Sequence, residues 1–340
     1  MKAVYIKHGL RNSLVYGDCP KPKAKPYEVL IEVHATSVNP SDWKIIPFLK
    51  LLPGIKGPFR PVILGQDVSG VVVEVGRFVK NFKKGDSVYS FNFTLGGAYA
   101  EYIAIASSMV AHKPSNMTYE EAAAVPEAAL TAWQALLKLA KMKSGDQVLV
   151  IGASGGVGSY GVQIAKALGA SVTGVCSTTV TEAPSAFAIS ASVTGVCSTT
   201  NIELVKNLGA DQVIDYKKEK FNDILTGYDI VLDCVGNESL QSCASVLKPD
   251  GIYITTLPNP KTSVEMLTTH LKPPVFENQQ KSITVFTVPG GSKLEEIRSL
   301  IEAGKVRSLV DKVYPLEQAT QAHDYSKQGR TKGKIVLKVK

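Results

Sequence analysis

Val148-Leu149-Val150-Ile151 runs straight into Gly152-Ala153-Ser154-Gly155-Gly156-Val157-Gly158 and on into Ser159 to Leu168. The apolar, β-branched run reads as a buried strand. Val162, Ile164, Ala165 and Leu168 mark the packing side of a following helix. Glycine lets the chain reverse sharply and lets backbone approach a ligand closely, and the N–H groups that open the helix then face an anion. In this strand–turn–helix context the expected anion is the pyrophosphate of a dinucleotide.

A chain of 340 residues exceeds what one core usually serves, so two domains are expected. Hydrophobic residues at 44% and charged residues at 20% exclude a disordered chain, and no apolar run reaches the ~20 residues of a membrane span. The formal charge of +8 comes from basic residues scattered without interleaved aromatics, which argues against nucleic acid. Cys19, Cys176, Cys197, Cys234 and Cys243 show neither CxxC spacing nor a nearby His, so no metal site and no disulfide framework is expected. Met1 to Ile6 reads directly as a strand without the succession of a secretory signal, and a cytoplasmic location is expected.

Residues 1–120 are strand-rich, with β-branched runs at Val29 to Val33, Gly70 to Val75, Ser87 to Phe91 and Tyr99 to Ile105. From Thr118 helical spacing takes over. Strands at Gln147 to Ile151, Ser171 to Cys176, Gln212 to Ile214, Ile230 to Cys234 and Gly251 to Thr255 then alternate with helices, one of them at Ile202 to Leu208. This predicts an α/β chain: a compact β domain over 1–120, a doubly wound parallel sheet over 121–280, and a segment 281–340 that ends the second domain and returns to the first.

The decamer ASVTGVCSTT at Ala170 to Thr179 occurs again, unchanged, at Ala191 to Thr200. One recurrence is a local duplication and not a solenoid. Either copy suits the second strand of the nucleotide fold. The surplus segment is expected to loop out or to pair at a sheet edge.

Ser37-Val38-Asn39-Pro40-Ser41-Asp42-Trp43-Lys44, Gly65-Gln66-Asp67-Val68-Ser69-Gly70, Gly97-Ala98-Tyr99-Ala100-Glu101-Tyr102, the glycine turn and Arg330 to Val336 together resemble the medium-chain dehydrogenase/reductase superfamily in its zinc-free quinone oxidoreductase and enone reductase branch. The resemblance covers nearly the whole chain. It implies a GroES-like β domain and a Rossmann domain with the active site between them. Zinc-dependent members of the superfamily carry Cys and His in the segments matching Ser41-Asp42 and Gln66, so zinc is not expected here. What remains is hydride transfer from NADPH to a quinone or to the β-carbon of an α,β-unsaturated carbonyl.

By that resemblance Lys44 and Asn39 are the catalytic candidates. Lys44 would stabilise negative charge on a carbonyl oxygen, and Asn39 would donate to ribose or substrate. Cofactor contacts are expected at Thr131, at Gly152, Ala153, Ser154, Gly155, Gly156, Val157 and Gly158, at Tyr216, at Val288 within Val285 to Gly291, and at Gly333 and Lys334. After the second strand stand Ser177-Thr178-Thr179 or Ser198-Thr199-Thr200 and no Asp or Glu, so Ser177, Ser198 and Thr199 favour a 2′-phosphate and NADPH over NADH. Pro47, Phe48, Leu51, Leu52, Phe91 and Phe93 suggest an apolar acceptor pocket. His8, His34, His112, His270 and His323 lie apart from triad-like companions, and no proton donor stands out. The resemblance leaves a homodimer open, and the competing reading is a non-catalytic NADPH-binding structural or regulatory protein.

Overall fold

The computed structural model describes residues 1–6, 14–44, 46, 61–93, 96–175, 193–197, 212–215, 220–270 and 279–340. In chain order it begins with β1 (Lys2–Ile6), β2 (Leu14–Asp18), β3 (Glu28–Val38), helix α1 (Pro40–Lys44), β4 (Val62–Ile63), β5 (Asp67–Val75), β6 (Ser87–Phe91), β7 (Tyr102–Ala106) and β8 (Val110–His112). Helices α2 (Tyr119–Ala123) and α3 (Pro126–Trp133) follow. The alternating region comprises β9 (Gln147–Ile151), α4 (Gly156–Ala167), β10 (Ser171–Val175), β11 (Val193–Cys197), β12 (Gln212–Asp215), β13 (Tyr228–Asp233), α5 (Leu240–Cys243), β14 (Leu247–Thr255), α6 (Pro260–His270) and β15 (Lys281–Thr284). The chain closes with α7 (Gly291–Glu302), β16 (Val310–Pro315), α8 (Ala319–Lys327) and β17 (Lys334–Lys338).

These elements form two compact units. The first comprises Met1–Leu130, Val288–Glu302 and Ser308–Lys340, and the second Thr131–Thr287 with Ala303–Arg307. In the first, the order β16-β17-β3-β5-β6-β8 makes one sheet, β7 also pairs with β3, and β2-β1-β4 makes a smaller one. β3 has partners on both sides, and its Val29, Ile31 and Val33 pack with Val68, Val72, Val88, Ile103 and Ile105 in a largely aliphatic layer that also takes in Phe82. This is the GroES-like half.

The second unit is a parallel sheet in the order β12-β11-β10-β9-β13-β14-β15. Val148, Leu149, Val150 and Ile151 of β9 are all buried, as a parallel strand covered on both faces requires. Beyond Trp133 of α3 the turns widen, with the Ala140 N–H on the Ala135 carbonyl, five residues back.

Both decamer copies are strands of this sheet. β10, the first copy, pairs with β9, and β11, the second, pairs with β10 in a register that sets Val172 beside Val193 and Val175 beside Val196. β12 then pairs with β11. The surplus strand therefore lies inside the sheet, neither looped out nor at an edge. Identical sequences in that register set each residue beside its own counterpart, and a strand paired on both sides leaves no open backbone edge. The short return from α4 through Leu168 to Ala170 delivers the first copy beside β9, the ordinary outcome of a right-handed crossover. The helix expected at Ile202 to Leu208 lies outside the described residues.

Candidate functional site

In the first unit the ends of four elements converge on Asp67, the first residue of β5, whose side chain is fully buried. Its Oδ2 accepts hydrogen bonds from Ser37 Oγ at 2.6 Å and from Asn39 Nδ2 at 2.8 Å, and lies 3.5 Å from Lys334 Nζ. Its Oδ1 accepts from the Glu127 N–H at 2.7 Å. Pro126 opens α3, so the Glu127 N–H is one of those a helix leaves unpaired, and an anion placed there also suits the helix dipole. Lys334, the first residue of β17, is buried as well and also donates to Asn39 Oδ1.

α1 turns the chain across this network. Asp42 Oδ2 accepts from the Asn39 N–H at 2.8 Å and from the Tyr99 hydroxyl at 3.1 Å, and that hydroxyl lies 3.0 Å from His323 Nε2. Burial pushes the Asp42 carboxyl up to about 7, with the charge of Asp67 acting in the same direction. Burial likewise pushes the His323 imidazole down to about 4 and the Tyr99 hydroxyl up. With Tyr99 donating to Asp42, the neutral imidazole places its proton on Nε2.

Ser41 and Glu127 are the half-buried members of the cluster. Ser41 Oγ lies 2.9 Å from Gln66 Oε1 and 3.0 and 3.2 Å from the two Glu127 carboxyl oxygens. Desolvation first, then the charge of Asp67, pushes the Glu127 carboxyl up to about 8. Lys334 opposes the shift and Asp42 adds to it.

The structure thus brings Asn39 and Lys334 together and not Lys44, which stands exposed at the end of α1 with Nζ 5.5 Å from the Trp43 ring centroid. Asn39 spends its carbonyl on Lys334 and one amide N–H on Asp67, which leaves one N–H for a ligand. Gly333 precedes Lys334 at a point where a side chain would meet the Leu309 carbonyl at 2.2 Å. Val288 is exposed and Phe91 is buried in β6. Phe93 is exposed, with its ring 6.1 Å from that of Phe91. Pro47, Phe48, Leu51 and Leu52 lie outside the described residues.

In the second unit Gly152 turns the chain at φ +82°, and its N–H and that of Ala153 both bond the Val175 carbonyl at the end of β10, at 2.7 and 3.0 Å. A Cβ at Gly158 would stand 2.1 Å from the Gly152 carbonyl oxygen, so only glycine lets α4 start this close to the turn. No side chain caps α4 at Gly155, and Ser154, Gly156 and Val157 complete a rim of backbone whose first helical N–H groups have no partner within the helix. That arrangement fits the pyrophosphate of a dinucleotide. Thr131 Oγ1 lies 2.5 Å from Thr287 Oγ1. Ser177, Ser198, Thr199 and Tyr216 lie outside the described residues.

Two carboxyl roles were not anticipated from sequence. Asp233, at the end of β13, accepts from the N–H groups of Val235 and Gly236 at 2.8 and 2.9 Å and from the Tyr253 hydroxyl at 2.8 Å. It thereby fixes the loop whose Val235 abuts Gly152. Glu127 reads in sequence only as an acid in the first turn of a helix, and nothing local reveals the Asp67 beside it.

Among the described residues no group of three or more His, Cys, Asp or Glu side chains is placed to hold a metal ion. Where zinc-dependent enzymes of this fold carry thiolate and imidazole, Ser41 and Gln66 offer a hydroxyl and an amide, which do not suit zinc.

Residues 25–115 match the family model described as alcohol dehydrogenase GroES-like domain, and residues 208–337 the model described as zinc-binding dehydrogenase. The chain is 33% identical to human "NAD(P)H oxidoreductase RTN4IP1, mitochondrial", over 92% of this chain and 82% of that one. It is 35% identical to "2-methylene-furan-3-one reductase" of Solanum lycopersicum, over 93% of this chain and 73% of that one. Among solved structures, the quinone oxidoreductase from Coxiella burnetii superposes with a TM-score of 0.79 at 29% identity, over 100% of this chain and 99% of that one.

Proposed function

From the premise that the chain belongs to the medium-chain dehydrogenase/reductase superfamily, in its quinone oxidoreductase branch, we propose that it is an NADPH-dependent, zinc-independent reductase of quinones and α,β-unsaturated carbonyls. The observation that carries this reading is the turn from Gly152 to Gly158, where bare backbone at the start of α4 is shaped for a pyrophosphate. The relatives' names support the rest: one is an NAD(P)H oxidoreductase, one a quinone oxidoreductase, and the third a reductase named for 2-methylene-furan-3-one, a compound in which a methylene is conjugated to a ketone.

In this reading the backbone of Gly152 to Gly158 holds the pyrophosphate, with Thr131, Val288, Gly333 and Lys334 lining the cofactor. The hydroxyls of Ser177, Ser198 and Thr199 receive the 2′-phosphate, where no carboxylate repels it, and Tyr216 lines the adenosine pocket. The bound cofactor supplies the hydride. Lys44 holds the acceptor's carbonyl oxygen with its exposed ammonium, and Asn39 contributes its remaining amide N–H. A cytoplasmic location belongs to the same reading. Among the described residues no helix is long and apolar enough to cross a membrane.

The test is oxidation of NADPH, with NADH in parallel, against an ortho-quinone, a short-chain enone and a saturated aldehyde. Turnover of the quinone or the enone with NADPH is the expected result. Silence on every acceptor, with NADPH still bound, would replace this reading with that of a non-catalytic cofactor-binding protein.

A further inference from the structure

We propose that Ser41 and Glu127 form the proton relay of this reductase, with the Glu127 carboxyl as the store and the Ser41 hydroxyl as the group that hands the proton to the acceptor. The inference rests on the reductase reading above and supplies what that reading lacks, a proton donor.

The first argument is a count of hydrogens. Three oxygens surround Ser41 Oγ within 3.2 Å, namely Gln66 Oε1 and both carboxyl oxygens of Glu127. A hydroxyl has one hydrogen to give. That hydrogen goes to the Glu127 carboxylate when the carboxyl is ionised, and it is free to turn to the Gln66 carbonyl or to a ligand when the carboxyl is protonated and donates to Ser41 in its place. The Glu127–Ser41 contact can therefore carry a hydrogen in either direction.

The second argument is electrostatic. Asp67 on β5 and Asp42 on α1 face Glu127 with carboxyl groups, and Lys334 on β17 is the cation that opposes them. That Lys334 is already engaged by Asp67 and Asn39. Burial among these groups holds the proton on Glu127 up to about pH 8, close enough to neutrality for the proton to leave and return. The third argument is access: Ser37, Asn39, Asp42, Gln66 and Asp67 are buried, whereas Ser41 and Glu127 are half-buried and form the open side of the network.

The step balances. The acceptor gains a hydride, and with it two electrons, from the reduced nicotinamide, and becomes an anion. The Ser41 O–H bond breaks as its proton moves to the anion's oxygen or α-carbon. Ser41 Oγ takes the Glu127 proton, and the carboxylate is reprotonated from water.

The test uses the full chain as wild type, Glu127→Gln and Ser41→Ala. Without cofactor, the infrared absorption of protonated carboxyl should show in the wild type a component that titrates near pH 8, beside that of Asp42 near 7, and only the component near 8 should be missing from Glu127→Gln. Ser41→Ala, which keeps the carboxyl, should keep that component. With NADPH and a quinone or enone, Glu127→Gln should lower kcat by ~10²-fold or more, the span typical of general acid catalysis, while KM and NADPH affinity stay within about twofold. Its rate should also lose the decline above pH 8 that the wild type shows. Ser41→Ala should lower kcat comparably, and it carries the activity test if Glu127→Gln does not fold. An active wild type whose Glu127→Gln variant keeps its kcat or its pH profile, or loses NADPH affinity in step with kcat, overturns the relay and leaves the reductase reading intact. A wild type silent on every acceptor overturns both.

Discussion

Lys334 Nζ lies 3.5 Å from Asp67 Oδ2, with the two side chains 4% and 0% exposed. Removing one partner of such a pair strands the other charge in the core, at a cost of about 3–5 kcal/mol. Asp67→Asn should therefore lower the urea midpoint strongly, because Lys334 and the Glu127 N–H both lose their anion. Lys334→Met combined with Asp67→Asn should recover part of the loss, since no uncompensated charge remains. Equal stability of the single and double variants would contradict a mutual ion pair.

Asp42 makes stability fall with rising pH. Its carboxyl is raised from 3.8 to about 7, chiefly by burial, so between those values the native state keeps a proton that the unfolded chain has released. The stabilising contribution is complete below about pH 4 and is lost as pH rises through about 7. Asp42→Asn removes the dependence. The variant should gain on the wild type by up to about 1.4 kcal/mol per pH unit across that window, the limiting slope for one proton. Thermal unfolding of both proteins from pH 4 to 8 checks the sign, and a constant difference would mean that Asp42 titrates alike in both states.

Lys44 separates function from fold. It is exposed, and among the described residues its recorded contact is the Trp43 ring, so Lys44→Met should leave the melting temperature within about a degree, as an ordinary surface change does. If its ammonium holds the acceptor's carbonyl oxygen, kcat/KM for the enone should fall ~10- to 100-fold with NADPH affinity unchanged, the loss of one charge-assisted contact. Steady-state kinetics alongside cofactor fluorescence distinguish this from a surface lysine with no role.

Local pattern made the fold class legible. The apolar run of β9, the glycines after it and the helix behind them fix one another within some twenty residues, and the structure adds only the closeness of Gly158 to the Gly152 carbonyl. The cluster around Asp67 was not legible in the same way. Lys334 meets it across 267 residues of sequence and Glu127 across 60, and each residue alone reads as an ordinary charged position. Ser41 and Gln66 stand out in sequence only against the Cys and His that zinc-dependent members carry in the matching segments. Their contact with each other and with Glu127 depends on how α1, β5 and α3 end.

The duplicated decamer is the place where sequence left two answers and the sheet selects one. β10 closes the glycine turn through its Val175 carbonyl, whereas β11 pairs only with β10 and β12. Deleting residues 170–190 joins Gly169 to Ala191 and leaves one decamer, which has the sequence to pair with β9 on one side and β12 on the other. The shortened chain should therefore fold to a six-stranded parallel sheet with its melting temperature preserved or raised, because a parallel strand and its connections are removed without opening an edge. Its NADPH affinity should be at least that of the full chain, since the turn keeps its Val175-equivalent carbonyl and the single Ser-Thr-Thr run follows the strand beside it. A deletion variant that loses its parallel-sheet circular dichroism would show instead that the second copy is required for the sheet to form.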